Sequence, residues 1–221
     1  MSAIDEYVAA LGRRLVGPGR LKRDVLAEAR DSLVDAADAF EERGLDPAEA
    51  ERRAIAEFGS LARIAPAYQR ELAATYSQRL AGLMALVLIG TALVGDRMWQ
   101  GAPWAGVDPP DRYGTVARAL DWVGPLGMIT AIVGFVLLRW WARRGDSGWL
   151  AGAVGYATTA VLGSVVVLGT AVYAYTIAVF PQALMWPPMV VGGVLLASAL
   201  GYLVWTAARC LAALRALRTE T

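Results

Sequence analysis

The sequence predicts an all-α protein: a small cytoplasmic helical bundle followed by a four-helix transmembrane bundle, with both termini cytoplasmic. Three observations carry this. Four long apolar runs follow Arg79, each bounded by charge or proline. The segment before them repeats apolar positions at helical spacing and is punctuated by glycine and proline. Charge divides at the same place, with 12 Lys+Arg and 14 Asp+Glu up to Arg79, then 9 and 6 in a mostly apolar background. A chain of 221 residues that is 57% hydrophobic is too apolar for one ordinary soluble domain. The expected parts are a helical domain over 1–75, a membrane domain over 76–210 and a short tail over 211–221.

Taken in order, Ser2 is placed to cap a first helix, with Asp5 at its third position. Ile4, Tyr7, Val8, Leu11 and Leu15 then share one face, and Gly17-Pro18-Gly19 ends the element. A second helix is expected over 20–43 with a stripe through Leu21, Val25, Ala29, Leu33, Ala36, Ala37 and Phe40. Gly44 supplies its left-handed cap. Asp46 caps a third helix, with Pro47 at its first position and Glu49 reaching back. Ala50, Ala54, Ile55 and Phe58 face inward, Gly59 ends that helix, and Ser60 caps the next. Leu61, Ile64, Ala65, Tyr68 and Leu72 form the last stripe, with a kink expected at Pro66. These stripes are rich in alanine, so the bundle is expected to lean on a partner or the membrane for firm stability.

Membrane spans are expected at about 78–95, 119–138, 149–175 and 189–208. Arg79, Arg139, Arg143, Arg144, Arg209, Arg215 and Arg218 put seven basic residues on one side, against Arg97, Arg112 and Arg118 on the other. The positive-inside rule assigns the richer side to the cytoplasm. The first twenty residues carry Asp5, Glu6, Arg13 and Arg14 where a signal peptide needs an apolar core, which agrees with a cytoplasmic first unit. Trp99, Trp104, Trp122, Trp140, Trp141, Trp149 and Trp186 fall near span ends, as an aromatic belt does.

Between the flanking charges the spans contain no Asp, Glu, Lys, Arg or His. An ionisable group at the bilayer centre costs roughly 2.5–3.5 kcal/mol, so it is kept for function. Its absence argues against proton-coupled export and toward a structural or sensory bundle. Small residues recur at four-residue spacing: Ala151, Gly155, Thr159 and Gly163, then Gly193, Ala197 and Gly201. Such faces let helices approach closely in lipid, within one bundle or across a homodimer.

Little in the chain points to enzyme chemistry. There is no histidine, no glycine-rich phosphate loop and no nucleophile in a recognisable setting. No catalytic, metal or cofactor site is expected. The single cysteine, Cys210, reads as an inert small residue, with palmitoylation or redox chemistry as the alternative. Asp31, Asp35, Asp38, Glu41 and Glu42 read as a solvated helix face ahead of a metal site. The first unit is net acidic, so direct nucleic-acid binding is not expected. Its Arg13-Arg14, Arg20-Lys22-Arg23 and Arg52-Arg53 groups suit a docking partner or anionic lipid headgroups. GAPWAGVDPPDRYG at 101–114 and PQALMWPP at 181–188 read as rigid connectors, with ligand contact as the alternative.

The stretch DVLAEARDSLVDAADAFEERGLDPAEAERRAIAEFGSLARIA, preceded by YVAALGRRL, resembles the HAAS domain. This is the helix-turn-helix-associated α-helical signalling domain, also called a permease prefix domain. The matching residues are Glu28, Arg30 to Leu33, Gly44, Ala50, Ala54, Phe58, Gly59 and Ala65, within about 4–70. After Phe-Gly the family often has Asp or Asn followed by Pro, whereas this chain has Ser60-Leu61 and a later Pro66. Serine still suits the cap there.

The resemblance implies a cytoplasmic domain that binds or controls a PadR-like winged-helix regulator; the domain also precedes export permeases. On that footing the candidate docking or relay residues are Arg13, Arg14, Glu28, Arg30, Asp31, Arg52, Arg53, Phe58, Gly59 and Ser60. The candidate helix-packing residues are Gly155, Gly163, Gly193, Ala197 and Gly201. The expectation is a membrane protein without enzymatic activity that relays an envelope or membrane signal to such a regulator. The alternative is an accessory or permease-type subunit of an export system.

Overall fold

The structure is a computed structural model that describes residues 2–17, 19–102, 111–141 and 148–219. It is all-α among those residues. In order come α1 (Ala3–Arg14), α2 (Gly19–Glu41), α3 (Pro47–Phe58), α4 (Leu61–Trp99), α5 (Asp111–Trp141), α6 (Gly148–Val179), a 3-10 turn (Pro181–Met185) and α7 (Pro187–Thr219). Two compact units result: Met1–Thr75 with Arg209–Thr221, and Tyr76–Ala208. α4 and α7 each contribute residues to both units.

In the first unit, α1, α2 and α3 pack on one another. Local chemistry fixes their ends. Ser2 Oγ accepts from the Ile4 N–H at 3.1 Å, and the Glu51 carboxylate accepts from the Ala3 N–H at 2.7 Å. Together they satisfy two of the donors a helix start leaves open. Asp5 does not reach back to the cap but pairs with Arg30 at 3.1 Å.

α2 ends in a Schellman turn. Gly44 has φ +93°, Leu45 N–H bonds the Phe40 carbonyl, and Gly44 N–H bonds the Glu41 carbonyl. Asp46 then caps α3 by accepting from the Ala48 N–H, and Pro47 follows it. Glu49 engages Arg52 rather than the cap. Gly59 closes α3 with φ +115°, and its N–H bonds the Ile55 carbonyl. Ser60 is exposed, and its carbonyl accepts from Ile64 N–H in the first turn of α4.

Alanine spacing decides how these helices meet. One buried cluster gathers Ile4, Tyr7, Leu33, Ala37, Ala50 and Ala54. A second gathers Leu11, Leu15, Val25, Ala29, Ala65 and Leu72. Phe58 and Leu61 pack against both, so the α3–α4 turn joins the two halves of this core. α4 stays helical through Pro66.

Among the described residues four helices, α4 to α7, are long and apolar enough to cross a membrane, and the second unit holds most of their length. Their outward faces remain apolar: Leu86, Leu126, Val194 and Leu195 are each more than half exposed. Water penalises such faces at roughly 25 cal/mol per Å², and a bilayer does not. Trp122 and Trp149 near span ends are 73% and 68% exposed. Many hydroxyls bond within their own helix, while Ser77 of α4 donates to the Ala151 carbonyl of α6 at 2.9 Å. Thr130, Thr158, Thr159, Ser164, Thr176, Ser198 and Thr206 all bond the carbonyl four residues earlier.

α5 and α6 pack closely where α5 lacks side chains. A Cβ at Gly127 would lie 2.6 Å from Val161 Cγ1, and one at Gly134 would lie 2.7 Å from Val154 Cγ1. Beyond α6, the 181–188 connector folds on itself, and Ala183 and Met189 are buried with Ala102. The 101–114 motif lies largely outside the described residues, as do Arg143 and Arg144.

Candidate functional site

Two places in the molecule bring candidate residues together. The first is the α3–α4 turn of the first unit. Tyr7 on α1 donates its hydroxyl to the Gly59 carbonyl oxygen at 2.8 Å. Its ring meets Phe58 edge-on, with centroids 6.0 Å apart and planes at 89°. Burial raises the Tyr7 pKa above the ordinary tyrosine value; nearby Tyr68 adds to the rise and Arg63 opposes it. Gly59 is buried, and a Cβ there would lie 2.6 Å from the Arg63 guanidinium. Arg14 joins Leu61, Ala62, Ala65 and Pro66 around a cavity of about 310 Å³ beside this turn.

The structure places the other sequence-derived candidates of this unit on its surface. Arg13, Arg14, Glu28 and Asp31 are exposed. Arg30 pairs with Asp5, Arg52 with Glu49 at 2.6 Å, and Arg53 with Glu57 at 3.4 Å. Exposed pairs like these are worth at most about 1 kcal/mol each, so they stay available to a partner. Asp31, Asp35, Asp38, Glu41 and Glu42 are all exposed, and no metal-binding cluster occurs among the described residues. Cys210 is fully buried.

One residue of this unit escapes sequence reasoning. Gln69 is buried, and its amide makes three hydrogen bonds. Its Nε2 donates to the Val16 carbonyl at 2.9 Å and to the Ala213 carbonyl at 3.0 Å, while Oε1 accepts from Val16 N–H at 2.9 Å. It ties α4 both to the α1–α2 loop and to the far end of α7. A glutamine one turn after Ala65 on a helix reads as a solvent position. Only its four-residue offset from that apolar stripe could have marked it.

The second place is a cavity of about 510 Å³ inside the second unit. All four long helices supply its wall: Leu88 from α4, Gly124 from α5, Gly169 from α6 and Ala197 from α7. A Cβ at Gly124 or Gly169 would touch nothing within 4 Å, so missing side chains make the space. Tyr173 lies across Gly193, where a Cβ would come within 2.9 Å of its hydroxyl.

The helix-packing candidates therefore separate. Gly193 and Ala197 border the cavity, Gly155 is buried, and Gly163 and Gly201 are exposed with open space around them. Helices also approach closely at Gly127 and Gly134, which the four-residue pattern of small residues does not include.

No family model, curated protein or solved structure matches the chain.

Proposed function

We propose that this protein is a membrane-embedded regulator, in which a HAAS-like helical domain relays a membrane or envelope signal to a PadR-like transcription regulator in the cytoplasm. The observation that carries the reading is the turn at Phe58-Gly59. Phe58 packs on both core clusters, Tyr7 holds the Gly59 carbonyl, and α4 leaves this turn to become the first membrane helix. Residues that carry the family resemblance, Ala50, Ala54, Phe58, Gly59 and Ala65, are therefore packed around the start of a helix that also belongs to the membrane unit. A change of packing along α4 would act first on that turn. The docking face would be the exposed set Arg13, Arg14, Glu28, Arg30, Asp31, Arg52 and Arg53.

The test uses the full chain as bait in detergent-solubilised membranes, with transcript profiling of a deletion strain. Recovery of a winged-helix regulator, lost on charge reversal at Arg52 and Arg53, is the expected result. No regulator on the bait, together with unchanged transcripts, would sink this reading. A second reading, an accessory subunit of an export system, draws on the 510 Å³ cavity. Altered export of an apolar compound with unchanged transcripts would favour it.

A further inference from the structure

The cavity of the second unit has a composition that selects its occupant. Its wall is apolar, and no charged residue lines it among the described residues. Three hydroxyl residues do: Thr91, Thr170 and Tyr173. Thr91 donates to the Leu88 carbonyl of its own helix at 2.9 Å. Thr170 and Tyr173 are different. Neither has a hydrogen-bond partner among the described residues, although seven other span hydroxyls bond back onto their own helices. At a spacing of three they share one face of α6. Thr170 is exposed and Tyr173 is 38% exposed, so both hydroxyls open onto the surroundings of this space, and against lipid the acceptor available to them is one that the lipid carries.

We propose that this cavity binds a lipid acyl chain, with the chain between the four helices and its ester carbonyl held by Thr170 and Tyr173. The volume of about 510 Å³ falls inside the range of about 300–1,000 Å³ typical of small-molecule sites. Water does not suit the space, because a buried water needs two to four polar partners and most of this wall offers none. A carboxylate or phosphate does not suit it either, because no cation lines it. An uncharged carbonyl with two lone pairs can accept from either of these hydroxyl donors. With the basic loops on the cytoplasmic side, Thr170 and Tyr173 lie toward the outer end of α6, where an ester linkage sits relative to its chain. Neither the site nor its occupant depends on a transcription regulator.

Two sources carry this chemistry: a glycerophospholipid of the bilayer and a neutral monoacylglycerol. The full chain is reconstituted in phosphatidylcholine–phosphatidylglycerol vesicles holding a trace of diazirine-acyl phosphatidylcholine or, separately, diazirine-acyl monoacylglycerol. After illumination, adducts are mapped by mass spectrometry. Expected adducts fall on cavity residues such as Leu162 and Val165, with outward Leu126 and Leu195 as the lipid-facing control. The probe that labels the cavity identifies the source, and labelling by either supports the site.

Gly169→Leu fills the space, and its labelling of the cavity should drop about tenfold relative to the control positions. Gly124→Leu fills it from α5 and decides the matter independently should the α6 variant misfold. Tyr173→Phe keeps the ring and should lower cavity labelling roughly two- to tenfold, the worth of one hydrogen bond. Labelling confined to outward faces, or cavity labelling unchanged in both folded filling variants, would overturn the proposal.

Discussion

The Tyr7 hydroxyl donates to the Gly59 carbonyl oxygen at 2.8 Å, across 52 residues of chain. α1 thereby holds the turn from which α4 departs. Tyr7→Phe keeps the edge-on contact with Phe58 and removes only that bond. It should destabilise the first unit by about 0.5–1.5 kcal/mol. Hydrogen exchange of the backbone around 58–64 in the full chain should accelerate accordingly. Unchanged protection there would mean that the bond contributes nothing.

The same hydroxyl sets an alkaline limit. Burial, the largest cause, raises its pKa in the folded state above the ordinary tyrosine value of about 10. The folded form therefore holds the proton more tightly than the unfolded form. Tyr7's contribution to stability is complete below about pH 10 and is lost as pH rises through the folded value. A pH series comparing wild type with Tyr7→Phe should show the two converging above pH 10, and parallel curves would refute the assignment.

Glycine is required at Gly59 more than at Gly44. Both have positive φ, at +115° and +93°. A Cβ at Gly44 meets open space, so Gly44→Ala should cost only backbone strain, about 1 kcal/mol. At Gly59 the Arg63 guanidinium can swing away from a new Cβ, but φ +115° with ψ 171° is a backbone region essentially confined to glycine, and Gly59→Ala should cost roughly 2–3 kcal/mol. Denaturation midpoints of the two alanine variants rank them. Equal losses would refute the backbone argument.

Gln69→Leu removes three hydrogen bonds at once and strips the Val16 and Ala213 backbone groups of this partner. The Ala213 bond is the buried one, and its carbonyl left unmet costs about 1–3 kcal/mol, whereas water can reach the Val16 groups. Limited proteolysis should then cut between Arg209 and Arg215 faster than in the wild-type chain, and equal rates would refute a structural role for Gln69. Gln69→Glu should behave similarly, because a carboxylate cannot donate to either carbonyl.

In the membrane unit, Gly134→Val should disrupt α5–α6 packing, since even a Cβ there would meet Val154 at 2.7 Å. Gly163→Ala and Gly201→Ala face open space and should leave the thermal midpoint of monomeric protein unchanged. A loss of self-association in the latter pair would reveal a homodimer face without touching the fold.

The fold was legible where a residue type has one structural use. Gly44, Asp46-Pro47 and Gly59 each announce a helix end through backbone conformation, and four apolar runs announce four long helices. Where several uses compete, sequence was mute. Gln69 looks like any surface glutamine until Val16 and Ala213 are brought beside it. The cavity comes from atoms that are missing at Gly124 and Gly169, and a glycine in a span equally suits close packing. Glu49 and Asp5, each read as completing a cap, found an arginine nearer. Local rules identify the caps but not the competition for their second member.

The Gln69–Ala213 bond also bears on the order of synthesis. Its two partners are separated in the chain by every membrane helix, yet they belong to one compact unit. A nascent chain presents the first 75 residues long before Arg209–Thr221 emerges. The first unit therefore lacks its last part until the chain has been made past all four long helices. Its closure is a late step of folding, set by chain order alone.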